Sequence, residues 1–402
     1  MKQQLSQLAL FGGPPRFYEP LHVGCPNVPQ AEARNQFLQS VSDILDRRWL
    51  TNHGPVVAEF ERALAQKLGV RNVITVCNAT QGLQVVAKAC GLTGEVIVPA
   101  FTFVATAHAL SWIGLEPVFA DVDPHRHTID PDHLEALITP RTSAIVATHL
   151  WGNACPTERL AQIAREYRLQ LIYDAAHAFG GSHQGQVIGS FGRAEVFSFH
   201  ATKFINSFEG GAITTNDDEL AQKMRQMTCF GFDGIDHVAS VGTNAKMSEV
   251  AAAMGLSSLS MMADITAANQ LNYEAYCLRL AGLPGVRLLP FDEAGNYQYA
   301  IAEVRGKGLS RDQLLEVLWA EGIRARRYFY PGCHRMEPYA SRAEVPSLPV
   351  SERLAETVLA LPTGTAVTPT EIAAICSIVR LAMGNAEEVK QRLARTHQAA
   401  AA

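Results

Sequence analysis

Three short stretches carry residue types capable of covalent and acid–base chemistry. The first is Lys203, set among Phe197, Phe199, Phe204 and Phe208. A lysine taken out of water loses basicity, and its neutral amine can condense with a carbonyl. A solvated surface lysine is the commoner use of the residue, and the four phenylalanines argue against it. The second stretch is Asp174-Ala175-Ala176-His177, closing the apolar run 170–173. Its carboxylate could hold a proton on a ring nitrogen, ligate a metal, or cap a helix beside a packed histidine. The third is Cys77-Asn78-Ala79-Thr80, between a β-branched run and an amphipathic stretch. Free N–H groups and the dipole at a helix start make an anion site. Asn78 or Thr80 could equally be a plain cap. It is not a Walker loop, because no Gly-Lys-Ser/Thr is present.

Such residues need a scaffold that gathers distant segments. Apolar runs at 72–76, 95–98, 117–121, 143–148, 170–174, 195–199 and 211–215 read as strands. Helical patterns at 56–68, 80–92, 131–138 and 157–167 lie between them. This alternation predicts a seven-stranded, mostly parallel sheet covered on both faces, with the last strand antiparallel. After about 245 the pattern changes to long helices over 246–262 and on to 280, strands at 286–289 and 299–304, and helices at 310–321 and 369–383. The expected fold class is α/β: a large sheet domain over 36–260 and a smaller α+β domain over 261–388. Residues 1–35 are expected to form an arm, and 389–402 a frayed helix or plain tail. Ligands of open α/β sheets bind beyond the carboxyl ends of the strands. Thr80, Asp174 and Lys203 all follow such ends.

Composition narrows the class. The chain has 402 residues, 48% hydrophobic and 18% charged, which excludes a coiled coil, a collagen or a disordered chain. A net charge of −5 argues against a nucleic-acid partner, since phosphate neutralisation needs a basic surface. No apolar run reaches the roughly 20 residues of a membrane span, and the polar start Met1-Lys2-Gln3-Gln4 is no secretory signal. The eight cysteines are scattered without a Cys-x-x-Cys pair, as expected of free thiols in a reducing cytoplasm.

A helix N-terminus for a phosphate, an acid for a pyridinium nitrogen and a lysine for an aldehyde are together what pyridoxal 5'-phosphate requires. The chain resembles the DegT/StrS branch of fold-type-I pyridoxal-phosphate aminotransferases, which act on nucleotide-linked keto sugars. The likeness spans about residues 21–383. It rests on Gly54-Pro55 ahead of Phe60-Glu61, Asn78-Ala79-Thr80, Pro99-Ala100-Phe101-Thr102-Phe103-Val104-Ala105-Thr106, Asp174-Ala175-Ala176-His177-Ala178-Phe179-Gly180, and Ser198-Phe199 with Lys203. Further matches are Glu209-Gly210-Gly211, Gly242-Thr243-Asn244 with Met247-Ser248-Glu249, and Tyr330-Pro331 with His334.

The resemblance implies roles. Lys203 would carry the cofactor covalently and move the proton, and Asp174 would pair with the ring nitrogen. Phe103 would stack on the ring, His177 would sit near its hydroxyl, and Ala79, Thr80 and Ser198 would hold the phosphate. Asn244 would reach the neighbouring subunit's cofactor, which implies a homodimer with shared active sites. Trp49, Lys246, Tyr330 and His334 would face the substrate. The implied reaction moves an amino group from an amino acid, glutamate, to a keto sugar, foremost a 4-keto-6-deoxyhexose. A 3-keto sugar, a cyclitol or a secondary-metabolite ketone is the alternative. Three departures from the family pattern bear on the pocket: Ala79 for Gly, Phe208 for Gly, and Lys246 where relatives carry Arg. The lysine at 203 favours transamination over the dehydrating branch, which has His there.

Readings from other classes remain. Asp121, Asp123, Asp174 and His177 could hold metal in a hydrolase, although the family carries a similar Asp-x-Asp without metal. A catalytically silent regulator of the same fold is the third option.

Overall fold

Seven apolar runs become one sheet: β1 (Asn72–Val76), β2 (Glu95–Pro99), β3 (Glu116–Ala120), β4 (Thr142–Thr148), β5 (Gln170–Asp174), β6 (Ala194–Ser198) and β7 (Gly211–Thr215). The structure is a computed structural model and describes residues 1–293, 295–341 and 346–401. The sheet order is β1-β7-β6-β5-β4-β2-β3. β7 pairs antiparallel with both neighbours, while the remaining pairs are parallel. The connection from β6 to β7 contains no helix, so β7 returns antiparallel beside β6.

Register then decides what meets at one end of the sheet. Asp174 closes β5 opposite Val196 of β6. Gly211 opens β7 opposite both Ser198 of β6 and Val76 of β1. The ends of β5, β6 and β1 and the start of β7 therefore lie side by side. Helix α1 spans Ala31–Arg47, α2 Pro55–Leu68 and α3 Ala79–Ala89. α3 packs closely on the sheet because residue 82 is glycine: a Cβ there would come within 2.9 Å of Val196 Cγ1.

The smaller unit has an antiparallel sheet of β8 (Val286–Leu288), β9 (Ala300–Val304) and β10 (Val358–Leu361). Helices Met262–Leu280, Arg311–Ala320 and Pro369–Gly384 contribute to its core. Among the described residues no single helix is long and apolar enough to cross a membrane.

Several expectations shift. The arm expected over 1–35 is largely ordered onto the small unit. Leu8 is fully buried in its core, and Leu21–His22 pairs in parallel with Ile323–Arg324. The buried carboxylate of Glu321 fastens this segment, accepting from Ala9 N at 2.7 Å, Arg16 N at 2.8 Å and Lys2 Nζ at 2.6 Å. The tail expected over 389–402 is helical to residue 401, within Ala386–Ala401, and buries Val389 and Leu393; residue 402 lies outside the described residues. The helix expected over 131–138 is two 3-10 turns, Pro131–His133 and Glu135–Leu137. The helix expected from 246 starts at Glu249, because the Ser248 side chain caps it by accepting from Ala251 N.

Glu249 explains how α2 is aimed. It is fully buried, and its two oxygens accept from Val56 N and Val57 N, each at 2.9 Å, at the α2 N-terminus. Gly54 leaves the space, since a Cβ there would lie 2.5 Å from Glu249 Cδ. Glu249→Ala removes two charge-assisted hydrogen bonds and an anion at a helix start, a loss of about 2–4 kcal/mol. Urea denaturation is expected to show a clearly lower midpoint, and an unchanged midpoint would contradict this role.

Candidate active site

Asp174 is buried at the end of β5. Thr106 Oγ1 donates to its Oδ2 at 2.7 Å, and Ala176 N donates to its Oδ1 at 3.1 Å. Burial pushes the carboxyl above its ordinary range, against the opposing pull of Thr106, Ala176 and Lys203. Two donors relieve part of the desolvation, and a cationic N–H would complete it.

Lys203 sits on the loop after β6, half-buried. Burial brings its amine down to about 8, with the Asp174 charge pulling the other way. Its Nζ donates to Tyr299 Oη at 3.4 Å. His177 is buried beneath a group of rings: Trp151 at 5.6 Å, Tyr299 at 4.5 Å and Phe329 at 6.2 Å between centroids. Burial, and then Lys203, hold its imidazole well below the usual value. Its Nδ1 is buried without a hydrogen-bond partner among the described residues.

Beside these lies the start of α3. The Asn78 side chain accepts from Gln81 N at 2.9 Å, so the capping reading of Asn78 holds. The cap leaves the Ala79 and Thr80 N–H groups without an acceptor among the described residues. A Cβ on Gly211 would come within 2.9 Å of Ala79 N and 2.6 Å of Phe197 O. Glycine there keeps the approach to the helix start open. Ser198, half-buried, pairs with Gly211 across the strands.

The structure thus brings Lys203, Asp174, His177, Ala79, Thr80 and Ser198 to one end of the sheet. Phe103 is 57% exposed, its ring centroid 6.4 Å from that of Phe329. Asn244 is exposed, and its Oδ1 accepts from Lys246 Nζ at 2.6 Å. Lys246 also lies over Phe230 at 4.6 Å, and its backbone bridges to Val76 at the end of β1. Trp49 is half-exposed in the stretch before α2. Tyr330, also half-exposed, has the Arg327 guanidinium at 4.8 Å and that of Arg311 at 5.6 Å from its ring.

Two expectations are corrected. His334 was expected to face substrate, but its side chain is wholly buried beside Phe119, 3.4 Å from Glu352. An imidazole without accessible surface has nothing to offer a substrate. The metal-hydrolase alternative loses its ligands. Asp121 accepts from Val350 N at 3.0 Å, Ser351 N at 2.7 Å and Ser351 Oγ at 2.7 Å, capping the helix Pro349–Thr357. Asp123 accepts from His125 N at 2.8 Å and Arg126 N at 2.7 Å in a turn. Among the described residues no group of three or more His, Cys, Asp or Glu could hold a metal ion.

Thr106 and Tyr299 escape the sequence reading. Thr106 sits inside a quoted motif, but nothing local says that its hydroxyl meets Asp174. Tyr299 comes from the far side of the chain, at the edge of β9, and carries no motif. The pyridoxal phosphate implied by the resemblance fits what is present: a buried acid short of a cationic partner, a lysine of lowered basicity, an unpaired imidazole nitrogen, and open N–H groups at a helix start.

Because burial lowers the Lys203 amine, its neutral, nucleophilic fraction at pH 7 is about one tenth, against less than a thousandth for an ordinary lysine. When cofactor-stripped protein is given pyridoxal phosphate, the rate of recovery of visible absorbance is expected to rise with pH and level off above about 8. A rate still climbing tenfold per unit past pH 9.5 would contradict the lowered amine.

Known proteins are similar to this chain over most of its length. A dTDP-4-amino-4,6-dideoxy-D-glucose transaminase of Shigella dysenteriae is 37% identical, over 86% of this chain and 94% of its own. A GDP-perosamine synthase of Caulobacter vibrioides is 38% identical, over 83% of this chain and 91% of its own. The solved structure of DesI in the presence of its TDP-sugar product superimposes with a TM-score of 0.92 at 49% identity, covering 96% of this chain and 99% of that one. A model of the DegT/DnrJ/EryC1/StrS aminotransferase family matches residues 31–380, nearly the whole chain, and the protein belongs to that family.

Proposed function

We propose that the protein transfers an amino group from glutamate to C4 of a 4-keto-6-deoxyhexose carried on thymidine diphosphate. The observation that carries the chemistry is the pairing of a buried acid with a half-buried lysine of lowered basicity just past neighbouring strand ends, beside a helix start open to phosphate. The relatives support the substrate class: the Shigella dysenteriae transaminase bears a dTDP-linked amino sugar in its name, DesI was solved in the presence of its TDP-sugar product, and the Caulobacter vibrioides relative is a GDP-perosamine synthase.

Bound pyridoxal phosphate supplies an electron sink that makes a carbon–hydrogen bond next to nitrogen acidic. Asp174 would keep the ring nitrogen protonated, because its buried charge is best matched by a cation. Lys203 Nζ would take the proton from the donor's α-carbon in one half-reaction and would deliver a proton to C4 of the sugar in the other. An amine near 8 suits both directions of that transfer. His177, held neutral, takes no proton from this exchange. Ala79, Thr80 and Ser198 would hold the phosphate, and Phe103 would lie against the ring. Trp49, Lys246 and Tyr330 stand on the substrate side.

The functional unit we propose is a homodimer in the cytoplasm. Eight free thiols suit a reducing compartment. Phe230, Phe232, Ile235, Val238 and Val241 are exposed on the loop leading to Asn244, a display that a partner subunit would cover. Lys246 holds the Asn244 oxygen, which leaves the amide N–H groups to donate outward across such an interface.

Borohydride is expected to fix the cofactor on Lys203. Protein treated with glutamate should lose its visible band and regain it on adding the dTDP-linked 4-keto-6-deoxyglucose. Recovery only with a GDP-linked sugar would overturn the thymidine assignment, and failure of glutamate to bleach the band would overturn the donor. Mixing inactive Lys203→Ala protomers with inactive Asn244→Ala protomers is expected to restore about a quarter of wild-type activity, since random pairing leaves one intact site in half the dimers. No recovery after subunit exchange would contradict shared sites.

A further inference from the structure

We propose that Tyr299 is the positioning residue that keeps the Lys203 amine aimed at the reacting carbon, as free amine and as ammonium, whenever that amine is not bonded to cofactor; this rests on the aminotransferase reading above. Residues 296–299 lead into β9 of the small unit, yet they are strapped to both loops of the site. Asn296 Nδ2 donates to His177 O and Phe179 O, each at 3.0 Å, on the loop after Asp174. Gln298 Nε2 donates to Thr202 O at 2.8 Å, next to Lys203. Gln298 N donates to Asn296 Oδ1 at 3.0 Å, and Asn269 Nδ2 donates to Asn296 O at 2.8 Å. The strap delivers the Tyr299 hydroxyl to 3.4 Å from Lys203 Nζ, with its ring 4.5 Å from His177 and 5.3 Å from Trp151.

The chemistry of a phenol suits the post. Burial pushes Tyr299 above its ordinary value, so it stays neutral while the amine changes charge. A neutral hydroxyl accepts from an ammonium and donates to a free amine. It therefore follows Lys203 through both states without exchanging a proton. The proton removed from the substrate carbon resides on Nζ, and the Tyr299 oxygen accepts one N–H until that proton is delivered. Bonds to charged groups are the stronger kind, so the hydroxyl favours the ammonium and opposes the loss of basicity that burial imposes.

The test uses holoenzyme bleached with glutamate, in which Lys203 is free, with competitive acetylation from pH 6 to 10 read at the Lys203 peptide by mass spectrometry. Tyr299→Phe keeps the ring and its packing. It is expected to retain the visible band, to lower the apparent pKa of Lys203 labelling by roughly half to one unit, and to slow the glutamate half-reaction about tenfold with KM within threefold. Gln298→Ala, which cuts the strap but keeps the phenol, should move the labelling curve the same way by less. A Tyr299→Phe curve that overlays wild type, whatever its rate, would overturn the proposal. Wild-type protein that shows neither band nor bleaching would overturn the aminotransferase reading instead.

Discussion

Everything at the site depends on keeping Asp174 and Lys203 out of water within reach of each other's charge. Burial alone would neutralise both groups, raising the acid and lowering the amine. Their mutual field, with the Thr106 and Ala176 donors, limits that drift and leaves an acid ready for a cation and an amine ready to exchange protons. The parallel sheet makes this possible, because neighbouring strands end together and each end can carry one reactive group. β7 completes the arrangement by running the other way. It brings a glycine, rather than a strand end, against the start of α3, where any side chain would crowd Ala79 N.

The small unit is part of this arrangement. Residues 296–299 are held by backbone oxygens on the two loops that carry His177 and Lys203. The N-terminal segment, in turn, is fastened to the small unit through Glu321 and Leu8. Residues remote in sequence thus meet the loops that carry the reactive groups. Movement of the small unit would be felt directly at the amine.

Much of this is legible in the sequence where the signal is local. The seven strands are continuous apolar runs, and their edges fall within a residue or two of expectation because both faces of the sheet are covered. Asp174, Lys203 and the start of α3 can be read because each directly follows such a run. What escapes is long-range. Leu8 opens a short apolar patch and Val389 and Leu393 are isolated apolar residues in polar surroundings, and only the folded small unit gives them a partner. Asp121 and Asp123 look like metal ligands because an acidic pair reads alike whether it meets an ion or the N–H groups of a helix start and a turn. His334 misleads for the same reason: its motif is visible, while Phe119 and Glu352, which enclose it, are not.

The most direct measurement is the nitrogen-15 chemical shift of the cofactor ring in protein reconstituted with ring-labelled pyridoxal phosphate, followed from pH 6 to 9. A buried carboxylate at Asp174 predicts a pyridinium-type shift that does not move across this range, and its loss in Asp174→Asn. A pyridine-type shift in the wild-type protein, or a pyridinium shift that survives Asp174→Asn, would contradict the account.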